Sequence, residues 1–258
     1  MKASIAVVFL SVPALFAAAP QSAVVVVPVA DVWSRPLAVG EKPTDDLRET
    51  QVLIAEKVLI HESSGSWARI EAVEQPEFTH HNRWEGYPGW ISANSLGYQG
   101  RGIPPGISVG PVDVMKSATK MIGAPYLWGG LSKSGIDCSG LAHLAYRKHE
   151  FRIPRDAHEQ WMTARRIKRA ELKPADLIFS AKADNPKKIT HVALYAGKGM
   201  IIEAPQEGMA VRKISFKEKY GKPLEEVESE DRVGDRVLYF GSFLHGGPPT
   251  TSEGMTLK

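Results

Sequence analysis

Asp137-Cys138-Ser139-Gly140-Leu141-Ala142-His143-Leu144-Ala145 places the only cysteine of a 258-residue chain at the head of an apolar-patterned helix. Asp137, Ser139 and Gly140 are turn and cap residues, not core-strand residues. Leu141, Leu144 and Ala145 form a stripe that buries the helix and fixes where the thiol emerges. Backbone N–H groups in a helix's first turn have no intrahelical partner and favour an anion. The Cys138 thiol is therefore expected to have a lowered pKa and to be nucleophilic at neutral pH. The strand-like run His191-Val192-Ala193-Leu194-Tyr195 supplies a base. Together the two stretches read as a cysteine hydrolase.

Around this helix the order of elements defines an α+β fold. Pro111 suits helix entry, and a helix is expected over 112–121, where Val112, Met115, Ala118 and Met121 fall near one face. The helix bearing Cys138 should run from 137 or 138 to about 149, and a second one passes through Glu159 and Trp161. Strands are expected at 177–180, 191–196, 200–204, 211–214 and 237–240, with 220–235 loop-like apart from a short helix at 223–227.

Residues 24–96 have the texture of a small β-barrel, with β-prone pieces at 24–29, 51–60, 67–74 and 89–91. Gln75 to Tyr87 reads as an outward loop. Tyr98 to Pro111, rich in glycine and proline, marks a linker over 97–111 ahead of a second domain at 112–258. At the N-terminus, Lys2, an apolar run from Ile5 to Phe16 and Ala17-Ala18-Ala19 are built like a cleaved export signal over 1–19, with Ala23 as the other cleavage position. That run is too short for a permanent anchor, so no stable membrane insertion is expected and the rest is placed in the periplasm or outside the cell.

The net charge of +3, from 32 basic and 29 acidic residues with both signs interspersed, leaves no nucleic-acid footprint. A lone cysteine cannot staple its own chain. No Cys/His cluster offers three convergent ligands, so no metal or other cofactor is expected. The adjacent His80 and His81 would point to opposite faces of an extended chain.

Attack on an amide needs a thiolate, a base that later protonates the leaving amine, and donors for the oxyanion. His191 is the preferred base and His158 the runner-up. His143 lies roughly 140° round the helix from Cys138, and His149 and His245 are remote. A third group should hold the far imidazole nitrogen. A hairpin turning at Gly197-Lys198-Gly199 would bring Glu203 to His191, and a solvent-facing Glu203 is the other reading.

These features resemble the NlpC/P60 family of bacterial cell-wall cysteine peptidases. The matching stretches are Gly123-Ala124-Pro125-Tyr126-Leu127-Trp128-Gly129-Gly130, Gly135-Ile136-Asp137-Cys138-Ser139-Gly140-Leu141, Ile153-Pro154-Arg155-Asp156-Ala157, Leu172-Lys173-Pro174-Ala175-Asp176-Leu177-Ile178-Phe179 and His191-Val192-Ala193-Leu194-Tyr195. Residues 26–96 resemble the bacterial SH3-like domains that precede such catalytic domains, and Glu85-Gly86-Tyr87-Pro88-Gly89-Trp90 looks like the subgroup acting on muropeptides.

The resemblance implies a papain-like catalytic domain that hydrolyses the γ-D-glutamyl–diamino acid bond of peptidoglycan stem peptides. It implies Cys138 as nucleophile, His191 as base, Glu203 where the family most often has histidine, and Tyr126 at the oxyanion. Asp137 and Ser139 would line the cleft, with Asp137 also suited to a helix cap, while Trp128, like Tyr126, either lines the site or packs beneath it. Tyr87 and an acid, Glu49 or Glu56, would bind the free amine of a terminal L-alanine. The family's Pro-Gly-Asp turn is Pro174-Ala175-Asp176 here. Rival readings are an amidase or acyltransferase with the same Cys/His pair, and a wall-binding module that has lost catalysis.

Overall fold

A computed structural model describes residues 19–98, 114–147 and 152–244. The expected export segment, most of the linker, the helix entry at Pro111, His149 and His245 lie outside the described residues.

The chain opens with seven strands: β1 (Gln21–Val25), β2 (Val29–Trp33), β3 (Arg48–Leu53), β4 (Lys57–Ser64), β5 (Trp67–Glu77), β6 (Glu85–Ser92) and β7 (Leu96–Tyr98). They form one antiparallel sheet in the order β3-β2-β6-β5-β4-β1-β7. Alternate residues such as Ala68, Ile70 and Ala72 on β5 are buried with Val32, Val52, Val58 and Ile91 in a single core, as a half-buried strand requires. The barrel expected here is not closed among the described residues, because no ladder joins β3 to β7.

Three further expectations change. Residues 51–60 are the end of β3 and the start of β4, which pair with different neighbours; the turn between them puts Ala55 at φ 66 and is pinned by Glu56, which accepts the Leu53 N–H at 2.9 Å. The 24–29 run ends as a strand at Val25 and restarts at Val29. The loop expected from Gln75 shrinks to the turn between β5 and β6, so His80 and His81 are not in extended chain.

The second half starts with α1 (Val114–Thr119), the short ribbon β8 (Leu131–Ser132) and β9 (Gly135–Ile136), α2 (Cys138–Arg147) and α3 (Ala157–Thr163). Then come β10 (Arg165–Arg166), β11 (Leu177–Lys182), β12 (Ile189–Gly197), β13 (Met200–Glu203), β14 (Arg212–Ser215), α4 (Phe216–Tyr220), β15 (Arg232–Val233) and β16 (Arg236–Ser242). The sheet order is β10-β16-β11-β12-β13-β14, with β15 on β16.

Both faces of this sheet are covered, which explains the unbroken apolar run Leu177-Ile178-Phe179. Leu177 and Phe179 pack with Leu141, Ala145 and Tyr146 of α2. Ile178 packs on the other side with Phe216, Leu224 and Val227. The fold is thus α+β, with α2 laid across the central strands.

The two halves are tied by buried polar contacts. Arg147 bridges Glu56 and Glu74 at 2.9 Å each, Leu131 N–H donates to Gln51 Oε1 at 2.9 Å, and Glu159 Oε1 accepts the Phe78 and Thr79 N–H groups at 3.1 and 3.0 Å.

Ala175, in the turn before β11, sits at φ 82 and is buried. A side chain in this left-handed region costs about 1–2 kcal/mol, which glycine partly avoids at the expense of a freer unfolded chain. Ala175→Gly is therefore expected to raise stability by about 0.5–1 kcal/mol in denaturant unfolding. A lower unfolding midpoint would show that the turn is unstrained.

Candidate active site

Cys138 is the first residue of α2, and Asp137 caps that helix: its Oδ1 accepts the Gly140 N–H at 2.6 Å. Its Oδ2 accepts the Gly129 N–H at 2.8 Å. Gly140 is required here, since a Cβ would lie 2.4 Å from the Gly130 carbonyl oxygen. Asp137 is held in turn by Arg155, whose Nη1 and Nη2 donate to Oδ1 and Oδ2 at 3.1 and 2.8 Å. Ser139 Oγ donates to Asp137 and accepts from Arg155 Nη1. Asp137 thus caps the helix and lines the cleft at once, the two roles the sequence left open.

His191 sits on β12, where Ser180 pairs with His191 and Ala181 with Ile189, leaving Thr190 as a bulge. Bulges re-aim neighbouring side chains. His191 Nε2 lies 2.9 Å from Glu203 Oε2, a diagonal contact within the β12–β13 hairpin that turns at Gly197 and Gly199. The solvent-facing reading of Glu203 is thereby corrected: the residue is fully buried. Two partners not anticipated from the sequence hold it. Arg212 donates to Oε1 through Nε at 3.0 Å and Nη2 at 2.8 Å, and Lys219 Nζ lies 2.8 Å from Oε2.

With Nε2 engaged by Glu203, Nδ1 is the nitrogen left for the thiol. Cys138 and His191 line one cavity of about 620 Å³ together with Tyr126. Cys138 keeps part of its surface open, yet burial pushes its thiol up to about 12; the charge of Asp137 adds to this, and the backbone N–H groups of Val192 and Ser139 work against it. The expected lowering of the thiol pKa is therefore reversed, because desolvation outweighs the helix start. Burial also moves His191 below the ordinary imidazole range against the pull of Glu203, aided by the charges of Lys219 and Arg236. Burial opposes ionisation of Glu203, but the His191 hydrogen bond and the Lys219 charge hold it down to about 2. Burial thus favours the neutral thiol and the neutral imidazole beside a charged carboxylate.

The runner-up base, His158, has its Nδ1 accepting the Ile189 N–H at 3.3 Å, and its ring stacks on Trp161. His143 is buried in the core with Nδ1 on the Ile153 carbonyl.

A second cavity, of about 1030 Å³, adjoins the first at Cys138 and is lined by Glu49, His80, Tyr87, Tyr126, Trp128 and Asp156 among others. Trp128 is 57% exposed, so it forms cleft wall and is not packing beneath the site. Tyr126 has its phenol pKa raised by burial and by nearby Cys138. The buried Tyr87 donates its hydroxyl to Asp156 Oδ2 at 3.1 Å. Glu49 lies 3.3 Å from His80 Nε2, and bonds to Glu49 and Glu77 raise His80 to about 10, so it is an imidazolium at neutral pH.

Glu56 is not in the cleft. It is fully buried under the β3–β4 turn, with Arg147 at 2.9 Å and Gln75 Nε2 at 2.7 Å. Glu77, His81 and Glu85 bring three possible ligand atoms within 4.8 Å of one another, but Glu85 is already occupied by His81 and Arg83. The sequence reading assigned no roles to Arg155 or Asp156, although both fall in the Ile153–Ala157 motif, whose two charges beside a proline were the available signal.

Residues 123–225 match the model of the NlpC/P60 family, and that segment is an NlpC/P60 domain. The chain is 26% identical over 234 residues to the gamma-D-glutamyl-L-lysine dipeptidyl-peptidase of Bacillus subtilis (strain 168), covering 68% of this chain and 78% of that one. It is 39% identical over 110 residues to the murein DD-endopeptidase MepH of Escherichia coli (strain K12), covering 41% of this chain and only 40% of that protein. An NlpC/P60 family protein from Bacillus cereus ATCC 10987 superposes with a TM-score of 0.69 at 20% identity, over 87% of this chain and 100% of that one. At that identity the likeness is one of fold.

A neutral resting pair has a direct readout, because the chain holds a single thiol. Thiolate ultraviolet absorbance of the native protein should be absent at neutral pH and rise with a midpoint well above the ordinary thiol value of about 8.5. A thiolate plateau below neutrality, lost in Cys138→Ala, would contradict this and indicate a preformed ion pair.

Proposed function

We propose that this chain is an exported cysteine endopeptidase that hydrolyses the γ-D-glutamyl–diamino acid bond of peptidoglycan stem peptides bearing a free N-terminal L-alanine. The observation that carries the reading is one cavity shared by a capped helix-start thiol and an imidazole whose far nitrogen is held by a buried carboxylate. The NlpC/P60 match and the dipeptidyl-peptidase relative support the substrate class. In this reading residues 24–96 form an SH3-like domain and 112–258 the catalytic one. Among the described residues no helix is long and apolar enough to cross a membrane.

Catalysis starts when His191 Nδ1 takes the Cys138 proton as sulfur attacks the γ-carbonyl carbon. Glu203 fixes the ring's tautomer and stabilises the imidazolium. Arg212 and Lys219 keep Glu203 ionised, so the proton stays on the ring. The developing oxyanion is met by the Cys138 N–H, unpartnered at the helix start, and by the Tyr126 hydroxyl. His191 then protonates the leaving amine, and water cleaves the thioester with His191 as base.

The larger cavity gives specificity. Tyr87, Asp156 and Glu49 offer a phenol and two carboxyl groups to an incoming ammonium group; Glu49 is shared with the His80 imidazolium, and burial raises Asp156 to about 7, so a bound cation would favour its ionised form. A substrate lacking that group would leave desolvated polar atoms unpaired, a strong basis for rejection. Asp137, Ser139 and Trp128 form the remaining wall.

Digestion of defined muropeptides separates the readings. Release of L-Ala-γ-D-Glu is expected, whereas release of the whole stem peptide from its lactyl group would indicate an amidase. Cys138→Ala should abolish release with the fold intact. His191→Ala should cost at least about 10²–10⁴-fold in kcat/KM, the usual worth of a general base, and Glu203→Gln should cost less. Full activity in Cys138→Ala would refute the mechanism.

A further inference from the structure

One arm of the cleft is distinctly basic. Its two cavities share Tyr126, Cys138 and Thr190, so they meet at the thiol. The larger arm is mixed in charge, with Glu49, Asp137 and Asp156 beside His80, Lys187 and Lys188, whereas the smaller arm, which alone contains His191, carries Lys182, Arg212, Lys219 and Arg236 against Asp235.

Within the smaller arm the positive charges are only partly neutralised. Arg212 and Lys219 share one carboxylate, Glu203. Arg236 stands 3.6 Å from Asp235, whose side chain is 87% exposed, and donates to Thr190 Oγ1 at 3.3 Å. Lys182, exposed at the end of β11, forms no ion pair among the described residues. Four cations thus face two carboxylates, and the uncompensated charge lies at Lys182 and around the Glu203 cluster.

Substrate direction follows from proton delivery. The base must protonate the leaving nitrogen, so the fragment on that nitrogen lies on the His191 side. The free ammonium end then occupies the arm with Glu49 and Asp156. We propose that the basic arm is a subsite for a carboxylate on the leaving diamino residue, with Lys182 and Arg236 as its principal contacts. The inference rests on the endopeptidase reading above and deepens it: leaving residues with a free carboxylate are preferred over their amides. The carboxylate has two sources, the α-carboxyl of a tripeptide's last residue or the side-chain carboxyl of a diamino diacid.

The test uses the full chain and four peptides beginning L-Ala-γ-D-Glu: one ending in L-lysine, one in meso-diaminopimelate, and the latter amidated either at the α-carboxyl or at the side-chain carboxyl. For an exposed ion pair, amidating the recognised group should raise KM about fivefold, and half-molar salt should erase the difference. The amide that raises KM identifies the source. Lys182→Met should bring KM for the preferred acid close to that of its amide, while Lys182→Arg should keep the preference. Arg236→Met should act in the same direction. Cleavage at the γ-glutamyl bond with equal KM for acid and both amides overturns the inference alone. A Lys182→Met, Arg236→Met double variant that keeps the full preference also overturns it. Failure to cleave any of the four at that bond overturns the endopeptidase reading and the inference with it.

Discussion

A single buried guanidinium organises this molecule. Arg155 is wholly inaccessible, and a charge so placed must be fully paired or it destabilises the fold by several kcal/mol. Its fork closes on both oxygens of Asp137, the cap of the helix that begins with Cys138. Its Nε donates to Thr50 Oγ1 in the N-terminal sheet at 3.0 Å, and its backbone N–H donates to the Pro76 carbonyl at 3.0 Å. The position of Cys138, the seating of the first sheet and the wall of the larger cavity are therefore linked. The next residue, Asp156, is the acceptor for Tyr87. Loosening Arg155 would move all three, which is why the cleft behaves as one unit although its residues come from both halves of the chain.

The electrostatics of the catalytic pair follow from the same compactness. The imidazole is buried and the sulfur partly so, and each is pushed toward its neutral form. Glu203 stays charged because two cations and an imidazole compensate it. Glu203 can stay ionised beside His191 because Arg212 and Lys219 supply the neutralisation.

Much of this was legible in the residues. Apolar runs at 177–180 and 191–196 announced central strands, and glycines at 197 and 199 announced the hairpin that delivers Glu203 to His191. The cap before Cys138 could be read locally as well. What could not be read depends on contacts distant in sequence or on burial. Arg155 meets Asp137 across 18 residues and Thr50 across 105, and arginine is ordinarily a surface residue. The turn at Ala55 carries no glycine signature, so two strands read as one. Glu49 and Glu56 were indistinguishable by type, and only the packing of Arg147 removes Glu56 from the cleft. The thiol pKa followed the helix start in the local reading, but desolvation, which a local pattern does not report, outweighs it.

The central claim is that Cys138 sulfur, deprotonated by His191, carries the acyl group during turnover. Rapid-quench intact-mass analysis of the enzyme mixed with L-Ala-γ-D-Glu-diamino acid peptide tests it most directly. The expected result is a dipeptide-sized mass increment confined to Cys138, formed and lost at rates compatible with turnover, and absent in Cys138→Ser and His191→Ala. Turnover with no such increment under conditions that trap thioesters, or an increment that persists in Cys138→Ser, would contradict the mechanism.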